Sequence, residues 1–220
     1  MQTLETSLLA AIATIPTRQD RAASIGTRLG ISARDAGLFS QRPQRRRFAD
    51  YAGQTVAAEE IITRLPKVGE TLHLILDGSF TLASTIPVIA AHIRQPCSLT
   101  ACTLGLNLDT VDLLALMLKD GRLSALRLAM SSYFEQTDKD TARHAAAVLK
   151  EQGATVAIAR VHCKLQLYEP AKGNARYVLE TSSNLRSCNC IESAMLTNDP
   201  KLFNWHNRWL TKFFQKNAIA

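Results

Sequence analysis

The sequence predicts an α/β protein, with a partly parallel sheet and helices on both of its faces. From about residue 70 onward, segments typical of strands alternate with segments typical of helices, which favours this architecture. Of the 220 residues, 46% are hydrophobic and only 20% are charged, so the chain can bury a substantial core. The sequence contains no internal repeat and no low-complexity tract.

Hydrophobic periodicity and local stop signals define the predicted elements in order. Short apolar runs predict strands in LHLILDG, SLTACTLGL, RLSALRLAM, RYVLETSSN and IESAMLTN, and one or two strands in ATVAIARVHCKLQLYE. Longer periodic runs predict helices in TIPVIAAHI, DTVDLLALMLKD, DKDTARHAAAVLKEQG and DPKLFNWHNRWLTKFFQK. Asp138 is a predicted helix start, and Gly121 and Gly153 are predicted helix stops.

The first 69 residues differ from the rest, and we predict two domains, a helical, Arg-rich N-terminal extension at 1–69 and a main domain at 70–220. The extension opens with the helical segment LETSLLAAIATI and ends with the short amphipathic helix VAAEEIITRL. Between them, RAASIGTRLGISARDAGLF has a faint helix-turn-helix pattern with a glycine at the turn. The arginine run 45–47 is interpreted as a solvated face or flexible arm, or as part of a DNA-binding region.

The chain is basic, with 26 Lys and Arg against 19 Asp and Glu and a formal net charge of +7. An excess of this size indicates a polyanionic partner, either nucleic acid or a phospholipid surface. A basic protein without such a partner is the plainer alternative.

Cysteine usage and hydropathy indicate the compartment. Five cysteines without a regular spacing favour a reducing environment, and no second Cys or His pair has the spacing of a zinc site, so we expect no metal and no cofactor. The apolar run SLLAAIATIP follows Glu5 instead of a basic segment, so a signal peptide is not expected. No stretch approaches the roughly 18 apolar residues of a membrane span. We therefore expect a cytoplasmic protein.

The stretch VHCKLQLYE places His162 and Lys164 two positions apart, so on a β-strand both side chains would leave the same face. Later in the chain, ETSSNL offers the hydroxyl of Ser182 and the amide of Asn184 to the same neighbourhood. Glu192 follows, at the end of SCNCIE. We predict that these side chains form one site, and the alternative is a His and Lys pair that points into water from an edge strand.

These residue types suit the cleavage of a phosphodiester without a metal ion. A neutral imidazole can attack phosphorus and form a covalent phosphohistidine. The ammonium of Lys164 would neutralise a non-bridging phosphate oxygen, and Ser182 and Asn184 would donate hydrogen bonds to the same oxygens. The carboxylate of Glu192 is a candidate to fix the tautomer of His162 and to stabilise its cationic form.

HCKLQLYE, followed by ETSSNL and NCIE, resembles the HKD signature of the phospholipase D superfamily, which is His-x-Lys-x4-Asp, then Gly-Ser-x-Asn and a downstream Glu. The resemblance covers roughly residues 70 to 217 and includes LHLILDGSFT and TNDPKLFNWHNRWL, which resemble small single-motif members from bacteria, phages or mobile elements. It implies a phospholipase D-like mixed sheet flanked by helices, so that residues 70–220 would be a catalytic domain.

The resemblance also implies roles for individual residues. It assigns the nucleophile to His162, phosphate binding to Lys164, Ser182 and Asn184, the carboxylate that holds the nucleophile to Glu192, and support to Ser183 and Glu169. Two positions depart from the family pattern: Glu169 stands in place of Asp, and Thr181 stands in place of Gly. Neither departure removes a group that does chemistry, but both allow a weakened or inactive enzyme.

The chain holds one such motif, whereas the superfamily builds its active site from two motifs related by a twofold axis. The resemblance therefore implies a symmetric homodimer, in which one His162 attacks and the other protonates the leaving oxygen. Family and motif imply the reaction class but not the substrate. The charge and the Arg-rich N-terminal region favour DNA or RNA, so we predict a dimeric phosphodiesterase of nuclease type.

Two alternatives stay open. The first is a catalytically weak or inactive accessory protein of a phage or mobile element that binds nucleic acid, and Glu169 and Thr181 motivate it. The second is a phospholipid hydrolase.

Of the remaining aromatic and sulfur side chains, Trp205 and Trp209 are expected to pack the last helix, and Cys163 is expected to point away from His162 into the core. Four further histidines are expected at the core rim or the surface, without matching partners: His73, His92, His144 and His206.

Overall fold

We describe a computed structural model of the protein over residues 57–76, 81–186 and 190–219, which lie within one compact unit. The strands are β1 (Thr71–Leu76), β2 (Cys97–Thr103), β3 (Leu123–Ser131), β4 (Thr155–Ala159), β5 (Leu165–Pro170), β6 (Tyr177–Thr181) and β7 (Glu192–Asn198). The helices are α1 (residues 57–61), α2 (Thr85–Ile93), α3 (Leu108–Lys119), α4 (Ser132–Thr137), α5 (Lys139–Glu151) and α6 (Pro200–Asn217), with a 3-10 turn at Leu82–Ser84.

The strands and helices predicted from residue 70 onward are present in the predicted order, with bounds that differ by a few residues. Both predicted glycine stops have a left-handed backbone, with φ of 78° at Gly121 and 81° at Gly153. The side chain of Asp138 caps α5, as predicted, by accepting a hydrogen bond from the N–H of Thr141. The short helix α4 has no counterpart in the sequence prediction, because its six residues are too few to show a helical period.

The strands form one mixed sheet in the order β1-β7-β6-β5-β2-β3-β4. Strands β2, β3 and β4 are parallel, because helices cross over between them. Strands β5, β6, β7 and β1 are each antiparallel to their neighbours. The predicted partly parallel sheet is therefore confirmed.

Two hydrophobic cores cover the two faces of this sheet. The larger core includes Leu99 of β2 and Leu114 of α3, and the smaller one includes Leu210 of α6. Side chains of a strand alternate between the cores, so that Leu165 packs towards α6 while Tyr168 packs into the larger core. Among the described helices, α6 alone contributes to the smaller core. None of the helices in the described ranges is both long and apolar enough to cross a membrane.

Most of the predicted N-terminal extension lies outside the described residues, including its opening helix, the helix-turn-helix pattern and the arginine run 45–47. Its last predicted helix falls partly within them and is helical at residues 57–61. Ala57, Ala58 and Ile62 are buried in the larger core. The boundary between residues 69 and 70 stays a prediction.

Candidate functional site

The predicted site residues lie at one end of the sheet. The parallel strands β2, β3 and β4 end there, and β5 begins there because it is antiparallel to β2. By the same antiparallel pairing, β6 ends and β7 begins at this end. The connections at this end carry His162, Lys164, Ser182 and Asn184, and Glu192 is the first residue of β7. Ligands of α/β proteins commonly bind at the carboxyl ends of parallel strands.

The prediction that His162 and Lys164 lie in a strand is wrong. Residues 160–164 connect β4 to β5. In the sheet, β4 neighbours β3 whereas β5 neighbours β2, so this connection must pass the ends of β3 and β2. A segment that crosses strand ends cannot pair along a strand. The connection leaves His162 exposed and Lys164 half-buried at the entrance to β5.

The side chains of His162 and Lys164 nevertheless contact each other. The Nζ of Lys164 lies 3.4 Å from the Nδ1 of His162. A protonated lysine only donates, so this hydrogen bond requires the lone pair on Nδ1, and Nε2 carries the proton of the neutral ring. The carbonyl of Lys164 accepts from the N–H of Thr181 at 3.2 Å, which joins the start of β5 to the end of β6. Lys164 is thereby held beside the turn that carries Ser182.

Ser182 and Glu192 form a hydrogen bond between the end of β6 and the start of β7. The Oγ of Ser182 donates to the carboxylate of Glu192 and accepts from the N–H of Ser193 at 3.0 Å. The N–H of Ser182 in turn donates to the carbonyl of Ser193 at 3.0 Å. These bonds orient the serine hydroxyl, so Glu192 contacts Ser182. The role of Glu192 beside His162 stays a prediction.

The turn after β6 presents Asn184. The Oγ1 of Thr181 donates to the carbonyl of Ser193 at 2.9 Å and accepts from the N–H of Ser183 at 3.0 Å. The Oδ1 of Asn184 accepts from the N–H of Leu104 at 3.0 Å, just beyond β2. Its Nδ2 group is therefore the end that can donate to an anion. Ser183 is buried, which suits a supporting position within the turn.

Two cavities meet at His162. One has a volume of about 390 Å³ and is lined by His162, Cys163, Lys164, Leu165, Glu180, Thr181, Ser182, His206 and Trp209. The other has a volume of about 510 Å³ and is lined by Leu104, Ser131, Ser132, Tyr133, Arg160, Val161 and His162. The structure thus brings His162, Lys164 and Ser182 together in the smaller cavity, which we call the His162 pocket.

His206 is a wall of the His162 pocket, although its sequence context indicates no partner. Its Nε2 lies 3.2 Å from Oε1 of Glu180, and its Nδ1 lies 3.2 Å from Nε1 of Trp209. An indole N–H only donates, so Nδ1 accepts, and Nε2–H donates to the carboxylate. Burial lowers the pKa of His206, and Glu180 opposes that shift by favouring the cation. The sequence gives no signal for this pair, because it forms only when α6 packs on β6.

Cys163 lies in the His162 pocket and is exposed, so the prediction that it packs in the core is wrong. The alternation of strand faces does not apply to residue 163, because it lies in the connection before β5. A hydrogen bond from the thiol of Cys102 lowers the pKa of Cys163 to about 7, and the charge of Lys164 contributes to the shift. Within the described ranges, no group of three or more His, Cys, Asp or Glu side chains is arranged to hold a metal ion.

Glu169 lies away from the other predicted site residues. It is five residues beyond Lys164 along β5, which corresponds to roughly 16 Å. Its Oε1 lies 2.7 Å from a guanidinium nitrogen of Arg176, and this guanidinium lies 5.7 Å from the ring centre of Phe203 in α6. The observed contacts of Glu169 therefore join β5 to the beginning of α6.

Three solved structures resemble the chain. A polyphosphate kinase from Porphyromonas gingivalis matches with a TM-score of 0.50 and 11% identity, over 70% of this chain and 24% of that one. Nuc from Salmonella typhimurium, a phospholipase D family member, matches with a TM-score of 0.48 and 13% identity, over 69% of this chain and 99% of that one. A phosphatidylserine synthase from Haemophilus influenzae matches with a TM-score of 0.46 and 14% identity, over 68% of this chain and 39% of that one.

These three proteins are members of the phospholipase D superfamily. The likeness to the polyphosphate kinase shows the fold, so the phospholipase D-like architecture predicted from the sequence is confirmed. At 11% identity, the likeness shows the fold alone. No protein-family model matches the sequence, and no curated protein matches it.

Proposed function

We propose that the protein is a phosphodiesterase of nuclease type, which cleaves nucleic acid without a metal ion through a covalent phosphohistidine at His162. The observation that supports this most is the contact between Nζ of Lys164 and Nδ1 of His162, at 3.4 Å, in a pocket that Ser182 also lines. A cation beside the lone pair of an imidazole suits a phosphate: the cation attracts the anion, and the lone pair is free to attack phosphorus once the ammonium turns to the phosphate oxygens.

The proposed reaction has two displacements. In the first, a ring nitrogen of His162 forms a bond to phosphorus, and the bond from phosphorus to the leaving oxygen breaks with that oxygen taking a proton. In the second, water attacks the same phosphorus and gives up its proton, and the bond to His162 breaks. Lys164 would neutralise a non-bridging oxygen. The Nδ2 group of Asn184, and the hydroxyl of Ser182 once it turns from Glu192 to the phosphate, would donate to the charge that builds in both transition states.

The proton for the leaving oxygen requires a second acid. In the proposed mechanism it comes from His162 of a second copy of the chain, across a twofold axis through the site. The same ring would accept the proton of the attacking water in the second displacement. The exposure of His162 at the end of the sheet supports this arrangement, because a second copy can approach it.

Nucleic acid is the proposed substrate because the chain carries a formal charge of +7, and polyphosphates bind basic proteins through many phosphate contacts. The decisive test incubates the full chain with plasmid and single-stranded DNA in EDTA. We expect cleavage that His162→Ala abolishes and that His144→Ala, which changes an exposed histidine of α5, leaves unchanged. DNA binding without cleavage would overturn the proposal of an enzyme and favour an accessory protein. Hydrolysis of phospholipid vesicles, with no cleavage of DNA, would favour a lipid hydrolase.

A separate experiment tests whether the active site is shared between two copies of the chain. Wild-type chain is denatured together with His162→Ala chain and refolded, so that mixed dimers form. At equal amounts of the two chains, about one quarter of the activity per total dimer should remain if each site needs both histidines, against about one half for independent sites. A linear dependence on the wild-type fraction would overturn the shared site.

A further inference from the structure

The outer face of α6 carries an aromatic side chain among cations. Lys201, Trp205, Arg208 and Lys212 are spaced three or four residues apart, and all four are exposed, so they form one stripe along the helix. We propose that this stripe, which we call the α6 stripe, is a binding track for single-stranded nucleic acid that leads to the His162 pocket. This inference rests on the proposed function in one respect, which is that the track ends at the His162 pocket because that pocket is the proposed active site.

The ring of Trp205 is accessible to a ligand. Its side chain is 54% exposed, although the spacing with Trp209 predicts that both pack the helix. The two rings differ because Trp209 turns inward to donate to His206, whereas Trp205 makes a T-shaped contact with the His206 ring, with a centroid distance of 4.6 Å and an interplanar angle of 74°. This contact holds the Trp205 indole against the helix. Bases stack on such exposed aromatic rings without sequence preference.

The charge of the stripe is of one sign. Helix α6 contains Lys201, Arg208, Lys212 and Lys216 and no Asp or Glu. In the described part of the chain, neither Arg208 nor Lys212 forms an ion pair with an acidic side chain. Unneutralised cations beside an exposed aromatic ring fit a strand that presents alternate phosphates and bases. They fit the same stripe of a second copy less well, because like charges would then face each other.

The stripe and the His162 pocket approach each other at Trp209. The stripe borders an open space of about 860 Å³ along α6, lined by Trp205, Asn207, Arg208, Trp209, Thr211, Lys212 and Gln215. Trp209 also lines the His162 pocket, so it forms a wall common to both spaces. Trp205 lies one helical turn before Trp209, a rise of about 6 Å along the axis. A strand with one phosphate at His162 can therefore pass Trp209 and place a following base on Trp205.

A single strand fits this surface better than a duplex. Stacking on Trp205 requires the face of an unpaired base, and in a duplex those faces are covered by neighbouring base pairs. A duplex would contact only the cations. The α6 stripe therefore predicts a preference for single strands over duplexes of the same length and charge.

Intrinsic fluorescence tests the proposal directly, because Trp205 and Trp209 are the two tryptophans of the sequence. The full chain carrying His162→Ala is titrated with an oligothymidylate and with a duplex of the same length. We expect the single strand to quench the fluorescence and to bind at least about tenfold more tightly than the duplex. Trp205→Phe should remove most of the quenching, and Trp205→Ala should weaken binding about tenfold.

The cations are tested by the dependence of binding on salt. Arg208→Ala with Lys212→Ala should lower the slope of log affinity against log salt by about 1.4, since each contact to a single strand contributes about 0.7. The matched control is Lys139→Ala with Arg143→Ala, two exposed cations of α5 on the other face of the sheet, which should leave affinity and slope near wild type. Equal binding of duplex and single strand, or unchanged binding by Trp205→Ala, would overturn the track.

The outcomes separate the track from the proposed function. If cleavage of single-stranded DNA in EDTA is unaffected by the stripe variants, the track is wrong while the phosphodiesterase stands. If the stripe variants weaken binding but the wild-type chain cleaves nothing, the phosphodiesterase is wrong while the track stands. A stripe variant that converts a dimer to a monomer, as measured by light scattering, would show that the stripe seats a second copy and would overturn the track.

Discussion

His206 donates its Nε2–H to the carboxylate of Glu180 across 3.2 Å, and this bond joins α6 to β6 at the wall of the His162 pocket. It places a carboxylate in the pocket that the side chain of Lys164 also lines. Because Nδ1 of His206 accepts from Trp209, the neutral ring is held in one tautomer. Protonation of the ring would place a second donor against the indole N–H and break that bond.

The first prediction concerns stability at acid pH. The folded pKa of His206 is lowered by burial below 6.5, so between 6.5 and the lowered value the unfolded chain binds the proton and the folded chain does not. The contribution of His206 to the free energy of unfolding is therefore present above pH 6.5 and is lost as the pH falls through the folded pKa. We expect His206→Gln, which can keep both hydrogen bonds but does not titrate, to lose less stability than wild type between pH 7 and pH 5.

Urea unfolding at several pH values measures this difference. His144→Gln is the matched control, because His144 is exposed on α5. Parallel pH profiles for wild type and His206→Gln would contradict the assignment of a lowered pKa to His206.

The sequence could predict what depends on local patterns. Strand alternation and helix caps place β5, β6 and α6. The order of His162, Lys164, Ser182, Asn184 and Glu192 along the chain predicts one site, and the structure brings the first three together in the His162 pocket. The path between β4 and β5 could not be predicted, because it depends on the order of strands in the sheet. For this reason His162 lies in a connection instead of a strand.

Contacts that depend on helix packing were also beyond the sequence. His206 is buried and Trp205 is 54% exposed because of the side that α6 turns towards the sheet. The spacing of Trp205 and Trp209 puts both rings on one side of α6 and predicts the same packing for both, so it gives no sign that only Trp209 turns inward. Glu169 shows the same limit, since its contact with Arg176 arises only from the pairing of β5 with β6 and the position of the turn between them.

The second prediction concerns the reactivity of Cys163. Its pKa is lowered to about 7, chiefly by the hydrogen bond from Cys102, and thiolates but not thiols react with iodoacetamide. We expect alkylation of Cys163 to rise with pH around a midpoint near 7 and to block the His162 pocket, so that cleavage is lost in parallel. Peptide mass spectrometry at a series of pH values measures the midpoint.

Two variants control the alkylation. Cys102→Ala should move the midpoint upward by removing the hydrogen bond, and Cys163→Ser should make cleavage resistant to iodoacetamide. Cys97 is buried with its pKa raised to about 11, so it should stay unmodified in the same samples. Loss of cleavage in the Cys163→Ser variant on alkylation would show that another thiol is responsible.

The third prediction separates Glu169 from the chemistry of the pocket. Its ion pair with Arg176 is partly exposed, with 42% of the Glu169 side chain accessible, so its loss should cost at most about 1 kcal/mol of unfolding free energy. We expect Glu169→Gln to lower the midpoint of urea unfolding slightly and to leave the kcat for DNA cleavage near wild type. Ser182→Ala should instead lower kcat well below that of Glu169→Gln, because it removes a donor from the pocket. A large loss of kcat in Glu169→Gln, with stability unchanged, would contradict this division.

The fourth prediction concerns Thr181, where the family pattern has glycine. Among the described non-glycine residues, Arg94 alone has a positive φ, so Thr181 needs no glycine for its backbone. Its hydroxyl holds the turn through the carbonyl of Ser193 and the N–H of Ser183. We expect Thr181→Val, which keeps the shape but removes both bonds, to cost about 1–2 kcal/mol of stability and to lower kcat. Thr181→Ser, which keeps the hydroxyl, should stay near wild type.

The variant Thr181→Gly tests whether the threonine side chain obstructs the phosphate or positions the groups that donate hydrogen bonds to the phosphate. Glycine opens the pocket wall, but it also removes both hydrogen bonds and frees the backbone of the turn that presents Asn184. We expect the second effect to dominate, because the hydroxyl of Thr181 is bonded within the turn instead of pointing freely into the pocket. Steady-state kinetics should therefore show kcat/KM for Thr181→Gly below wild type and close to that of Thr181→Val. A kcat/KM above wild type would mean that the threonine obstructs substrate, as a weakened descendant of a more active enzyme would show.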